Sequence, residues 1–125
     1  MNNLGKTILT GACIGALLAV AVAPAEAKAP PAGKYECVIG STLFGNLQIK
    51  SGGSYRHRGT SGTFKAGSKR VSFKDGRKGY RISFKKGSLN GFKGRWYRSP
   101  TDGTYEIALL NPVDNFESIY CDKWK

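Results

Sequence analysis

The chain has 125 residues, a net charge of +12, three cysteines and a single histidine. That length supports one domain with a modest core, and once Cys13 is set apart in the apolar N-terminal run, two isolated cysteines and one His make no zinc-type ligand set. The excess of 20 Lys and Arg over 8 Asp and Glu favours anionic partners over cationic ones.

In chain order, Asn2 to Lys6 is a short polar start, Thr7 to Ala23 is apolar, and Ala25-Glu26-Ala27 is a small-x-small cleavage site. These three parts predict a cleaved secretory signal peptide over residues 1–27. The apolar run, about 17 residues rich in Gly and Ala, falls short of the ~20 that a spanning helix needs. Lipid attachment at Cys13 is disfavoured, because Thr10-Gly11-Ala12-Cys13 has no large aliphatic residue three positions before the cysteine. Lys6 and Glu26 cancel, so cleavage leaves the charge at +12. The expected destination is the periplasm or the extracellular space.

Lys28 to Gly33 reads as an extended, mobile, Pro-rich lead-in. Residues 34–125 then form one β domain. Short alternating segments are punctuated by turn residues every eight to eleven positions, a spacing that predicts an antiparallel up-and-down barrel or sandwich of about eight strands. Strands are expected near 34–39, 43–50, 53–58, 61–66, 69–74, 79–85, 89–98, 104–110 and 116–122. No segment carries a helical period beyond two turns.

A repeat punctuates the middle strands: Phe64-Lys65-Ala66-Gly67, Phe73-Lys74-Asp75-Gly76 and Phe84-Lys85-Lys86-Gly87, with a shorter Phe92-Lys93-Gly94. In each, the ring is expected inward, the lysine outward, and the Gly supplies a positive φ for a tight turn. Two-residue loops at Asp75-Gly76 and Lys86-Gly87 would pair Val71 with Tyr80, Phe73 with Lys78 and Phe84 with Leu89. Val71, Phe73, Tyr80, Ile82, Phe84 and Leu89 then share the core side. Phe92, Trp96, Tyr105, Ile107 and Leu109 continue it. Tyr35, Cys37 and Ile39 share a face, as do Leu43, Leu47 and Ile49. Arg70, Ser72, Lys74, Arg81, Ser83, Lys85, Lys93, Arg95 and Tyr97 point outward.

Without the signal peptide, Cys37 and Cys121 remain, near opposite ends of the chain. An even pair in an exported protein predicts a disulfide. Both lie on inward parity, so the bond would pin the first strand to the last, where a closed barrel needs its seam.

The Gly33-Lys34-Tyr35-Glu36-Cys37 opening and the Ile119-Tyr120-Cys121 close resemble those of small uncharacterised secreted bacterial proteins that begin on a Tyr-x-Cys strand and end on a second cysteine. In outline the shape is similar to the calycin-like barrels of lipocalin, avidin and protease-inhibitor type. Tyr35 stands where lipocalins carry the Trp of Gly-x-Trp. The resemblance implies a fold and carries over no functional residue.

Charge is unevenly placed. Lys50 to Arg98 holds 15 basic residues and one acid, Asp75, while Asp102 to Asp122 holds five acids and no base. Arg70, Lys74, Arg81, Lys85, Lys93 and Arg95 are the candidate polyanion-binding residues, with Tyr97 and Tyr55 placed among bases to stack on sugars or nucleobases. The competing reading is a solvated face that keeps strands from pairing edge to edge.

Catalytic templates fail on residue supply. His57 sits between Arg56 and Arg58 with no nearby carboxylate in sequence, and the serines occupy turn contexts. Neither a nucleophile elbow nor a phosphate loop is present. Asp102, Glu106, Asp114 and Glu117 read as surface acids rather than a glycosidase pair. No metal or cofactor is expected. The expectation is a monomeric, non-catalytic module binding an anionic polysaccharide, lipid or other envelope polyanion. The alternatives are an inhibitor-like or small-ligand barrel, with a partner at the barrel mouth or at a rim loop such as Asn111 to Phe116, and a structural envelope component.

Overall fold

The computed structural model describes residues 28–124; the predicted signal peptide lies outside them. Nine strands follow in order: β1 (Gly33–Ile39), β2 (Thr42–Lys50), β3 (Ser54–His57), β4 (Thr60–Ala66), β5 (Val71–Ser72), β6 (Lys78–Lys85), β7 (Lys93–Arg98), β8 (Tyr105–Leu110) and β9 (Glu117–Lys123). Neighbours in the sequence pair antiparallel, except β4 and β5, which do not pair with each other, and β1 pairs with β9. The β4–β6 pairing closes the circle into an eight-stranded up-and-down barrel, and the two-residue β5 pairs with the first residues of β6, ahead of the stretch that β4 pairs. Closure leaves the eight strands no free edge.

Cys37 and Cys121 are direct partners across the β1–β9 seam and form the expected disulfide. The barrel axis is filled by Tyr35, Leu47, Ile49, Tyr55, Phe64, Ile82, Phe84, Leu89, Ile107, Leu109 and Ile119, none more than 6% exposed. Tyr55 meets Phe84 edge-on, with centroids 5.2 Å apart. Tyr55 is therefore a core residue, not a stacking platform among surface bases. The strands come unusually close where side chains are missing. A Cβ on Gly94 would lie 2.0 Å from the Ala108 carbonyl oxygen, so only glycine permits the β7–β8 approach there.

Two register expectations fail for the same reason: the turns are longer than two residues. Val71 pairs with Gly79 and Ser72 with Lys78, so the turn runs from Phe73 to Arg77. Asp75 shapes it by accepting a hydrogen bond from the Arg77 amide at 3.0 Å. The expected strand 69–74 shrinks to β5, and Phe73 lies on the outer side. Likewise Phe84 faces Phe92, not Leu89, with the Phe84 amide donating to the Phe92 carbonyl at 2.9 Å. Residues Gly87–Leu89 form a 3-10 turn that drops Leu89 into the end of the barrel.

A bulge on β2 changes a third parity. Cys37 pairs with Gly45 but Val38 pairs with Leu43, so Phe44 is the extra residue. Phe44 turns toward the core, stacking on His57 at 5.0 Å, and Leu43 turns out to 58% exposure.

The Pro-rich lead-in is fixed across the other end of the barrel. The Trp96 indole donates to the Lys28 carbonyl at 2.8 Å, Tyr35 donates to the Pro31 carbonyl at 2.7 Å, and Pro30 is buried. An aromatic row of Tyr80, Trp96 and Tyr105 lies at that end.

Candidate functional site

The segment 67–77 arches over the outer wall of β6, β7, β8 and β9, and Arg95 of β7 holds it there. Arg95 points outward as its parity requires, yet it is 9% exposed. Its guanidinium donates to both Asp75 oxygens, at 3.0 and 2.7 Å, and to both Glu117 oxygens, at 2.8 Å each. Its central carbon lies 4.9 Å from the Phe73 ring and 4.9 Å from the Tyr97 ring. Bidentate pairing and two aromatic faces suit the planar guanidinium. Arg95 thereby holds the Asp75 carboxyl well below the usual carboxylate range. Tyr97 faces outward as expected but is only 2% exposed beneath this strap, and burial pushes its hydroxyl pKa up.

Beside this ion cluster the strap stands away from the barrel wall and leaves a cleft of about 710 Å³. Phe73 and Lys74 of the strap, Ser83 of β6 and Leu110 of β8 line it, together with Lys65, Arg81 and Lys93. Arg95, Asp75 and Glu117 close its inner wall. Lys65, Lys74, Arg81 and Lys93 are exposed, and none is ion-paired among the described residues. Four unpaired cations around one concavity make a strongly positive local field.

Of the six cations singled out from the sequence, Lys74, Arg81 and Lys93 converge on this cleft. Arg95 reaches it with its charge already taken by two carboxylates, so it acts as the clamp of the site and not as a free anion-binding group. Arg70 and Lys85 are exposed but lie off the cleft lining. Lys65 was not among the six. It belongs because β4 pairs with β6, setting Lys65 opposite Ser83. The Phe-Lys-x-Gly repeat marked Lys65 as outward, but the closing pair that brings β4 to β6 joins segments distant in sequence.

On its other side the ion cluster borders a polar depression of about 380 Å³ containing Glu106, Tyr120 and Asp122. Three of the five C-terminal acids, Glu106, Glu117 and Asp122, gather here. Burial, and then the neighbouring Asp122 charge, raise the Glu106 pKa. Among the described residues no group of His, Cys, Asp and Glu is arranged to hold a metal ion.

His57 belongs to the barrel end. It is 2% exposed, with Nδ1 2.6 Å from the Ser88 hydroxyl and Nε2 3.0 Å from the Phe44 carbonyl oxygen. That carbonyl can only accept, so Nε2 carries the proton and Ser88 donates to Nδ1. Burial lowers the His57 pKa, and the Arg58 charge adds to the effect. Thr60 donates to the His57 carbonyl at 2.7 Å and accepts from the Ser88 amide at 2.8 Å, so the ring is one part of a structural cap.

No protein-family model matches the chain, and no curated protein or solved structure matches it significantly.

Proposed function

We propose that this protein is an exported, non-catalytic binding module whose strap cleft takes an anionic polymer or surface of the cell envelope. The observation that carries the reading is the convergence of Lys65, Lys74, Arg81 and Lys93 on one concavity. The neighbouring acids Asp75 and Glu117 are both occupied by Arg95 and do not neutralise those four. Phe73 and the lysine stems give the cleft apolar surface against which a sugar ring or acyl segment can lie. The packed barrel axis favours this outer site over a small ligand held within the barrel.

The test is binding to soluble polyanions, heparin and polyphosphate, across a salt series. Charge-driven binding requires log affinity to fall linearly with log salt. Lys74→Glu, Arg81→Glu and Lys93→Glu should each weaken binding and reduce the salt slope by about 0.7 to 0.9 per lost contact. Arg70→Glu, off the cleft, should do less. Binding that ignores salt, or equal effects from Arg70 and Arg81, would reject the site.

A further inference from the structure

The β8–β9 loop is an exposed apolar prong built on a rigid base. It runs from Asn111 to Phe116, and its tip leaves Val113 at 92% exposure and Phe116 at 71%. Its backbone is tied internally. The Asn111 amide donates to the Phe116 carbonyl at 2.8 Å, and the Asn115 amide donates to the Asn111 carbonyl at 2.7 Å. Asn111 Oδ1 accepts from the Val113 amide, and Asp114 Oδ1 accepts from the Phe116 amide, both at 3.0 Å. Asn115 takes the positive φ of 60° that the turn demands. Four amides are therefore satisfied without water, while two large apolar side chains have no protein cover.

The prong is rooted in the cationic cleft. Leu110 and Glu117, the residues on either side of the loop, both line that cleft, and Lys93 is the β7 partner of Leu110. Leu43, 58% exposed, lies at the same end of the barrel, on the strand beyond the β1 strand that pairs with β9. Apolar groups thus project from the end of a positive concavity.

We propose that the Val113–Phe116 prong inserts into the interface of an anionic lipid bilayer, with the cleft cations facing the headgroups. The inference rests on the cationic reading for its second half and on the prong alone for its first. A loop entering the headgroup region gains from burying Phe and Val only where its backbone donors are already bonded, as four of these five are. One apolar contact of this size gives weak attachment, and adjacent basic charge supplies the second signal that stable anchoring needs. The occupant is lipid, because the four unpaired cations of the adjoining cleft outnumber Asp114, the one acid of the prong, and a bilayer presents acyl chains beneath negative headgroups.

The experiment uses oxidised protein purified from expression of the full chain, sedimented with vesicles of phosphatidylcholine alone or of equal parts phosphatidylcholine and phosphatidylglycerol. Wild type should bind the anionic vesicles at least about tenfold better than the neutral ones. Phe116→Ser combined with Val113→Ser should lower anionic-vesicle binding by about tenfold or more while leaving heparin affinity unchanged. Both side chains are solvent-exposed, so thermal stability should stay within error. Lys93→Glu should weaken vesicle and heparin binding together. Absent binding to anionic vesicles, or undiminished vesicle binding by the double variant, overturns the prong. A concentration-dependent dimer abolished by the same double variant would assign the prong to a second copy and also overturn it. Loss of heparin binding with vesicle binding intact would instead reject the polymer reading and leave the prong standing.

Discussion

Arg95 grips Asp75 with both terminal nitrogens, at 3.0 and 2.7 Å, across 20 positions of sequence. This pair decides where the strap lies, and so whether a cleft exists. Without it, segment 67–77 would keep the short β5 ladder, a few backbone hydrogen bonds and the Arg77–Tyr97 and Arg81–Phe73 contacts.

Arg95→Met should cost about 2 kcal/mol, less than the loss at a wholly buried ion pair because Asp75 and Glu117 remain partly solvated. Trypsin should then cut within 67–78 far faster than in the parent protein. Lys93→Met removes a cation without a carboxylate partner and should stay within about 0.5 kcal/mol. Denaturant midpoints and a timed digest check this; equal losses for the two variants would mean that the ion cluster does not hold the strap.

Acid should weaken the fold in two stages. The His57 pKa is lowered from 6.5 in the folded state, so the unfolded chain takes up its proton first. The His57 contribution is therefore fully present above pH 6.5 and is lost as pH drops below it. The Asp75 pKa is lowered from 3.8, so its contribution is present above that value and is lost on further acidification. His57→Gln should flatten the first stage and leave the second, and Asp75→Asn should do the reverse at lower stability throughout. Melting temperatures taken from pH 8 to pH 1.5 give the answer. An unchanged slope between pH 6.5 and 5 in His57→Gln would place the first stage elsewhere.

Reduction should act on the unfolded chain more than on the barrel. The Cys37–Cys121 link spans 84 positions, and a loop of that length is worth about 4 to 5 kcal/mol in the chain-entropy treatment. The paired Cys37→Ala and Cys121→Ala variant should lose stability on that scale yet keep its β-type far-ultraviolet spectrum, because the β1–β9 ladder supplies its own backbone pairing. A coil spectrum at low temperature would show that the ladder cannot close the seam alone.

Much of this architecture was legible before any coordinates. Alternation assigned Tyr35, Leu47, Ile82, Phe84, Ile107 and Leu109 to the interior, and the two terminal cysteines marked the seam. Errors collected where spacing depends on a turn's length. Asp75-Gly76 and Lys86-Gly87 look like two-residue loops, but Asp75 is drawn to Arg95, and residues 87–89 coil inward to bury Leu89. The β2 bulge likewise turned Leu43 outward and Phe44 inward.

Side-chain period and turn chemistry are local properties, so residues 34–124 already carry an all-β alternating chain with its cations facing away from its rings. Which of those cations stay unpaired is a matter of long-range contact. Folding spends Arg95 on Asp75 and Glu117, recruits Lys65 through the β4–β6 closure, and leaves Lys74, Arg81 and Lys93 around the cleft. Charge can be counted along a strand, but its availability depends on which carboxylates the fold brings within reach.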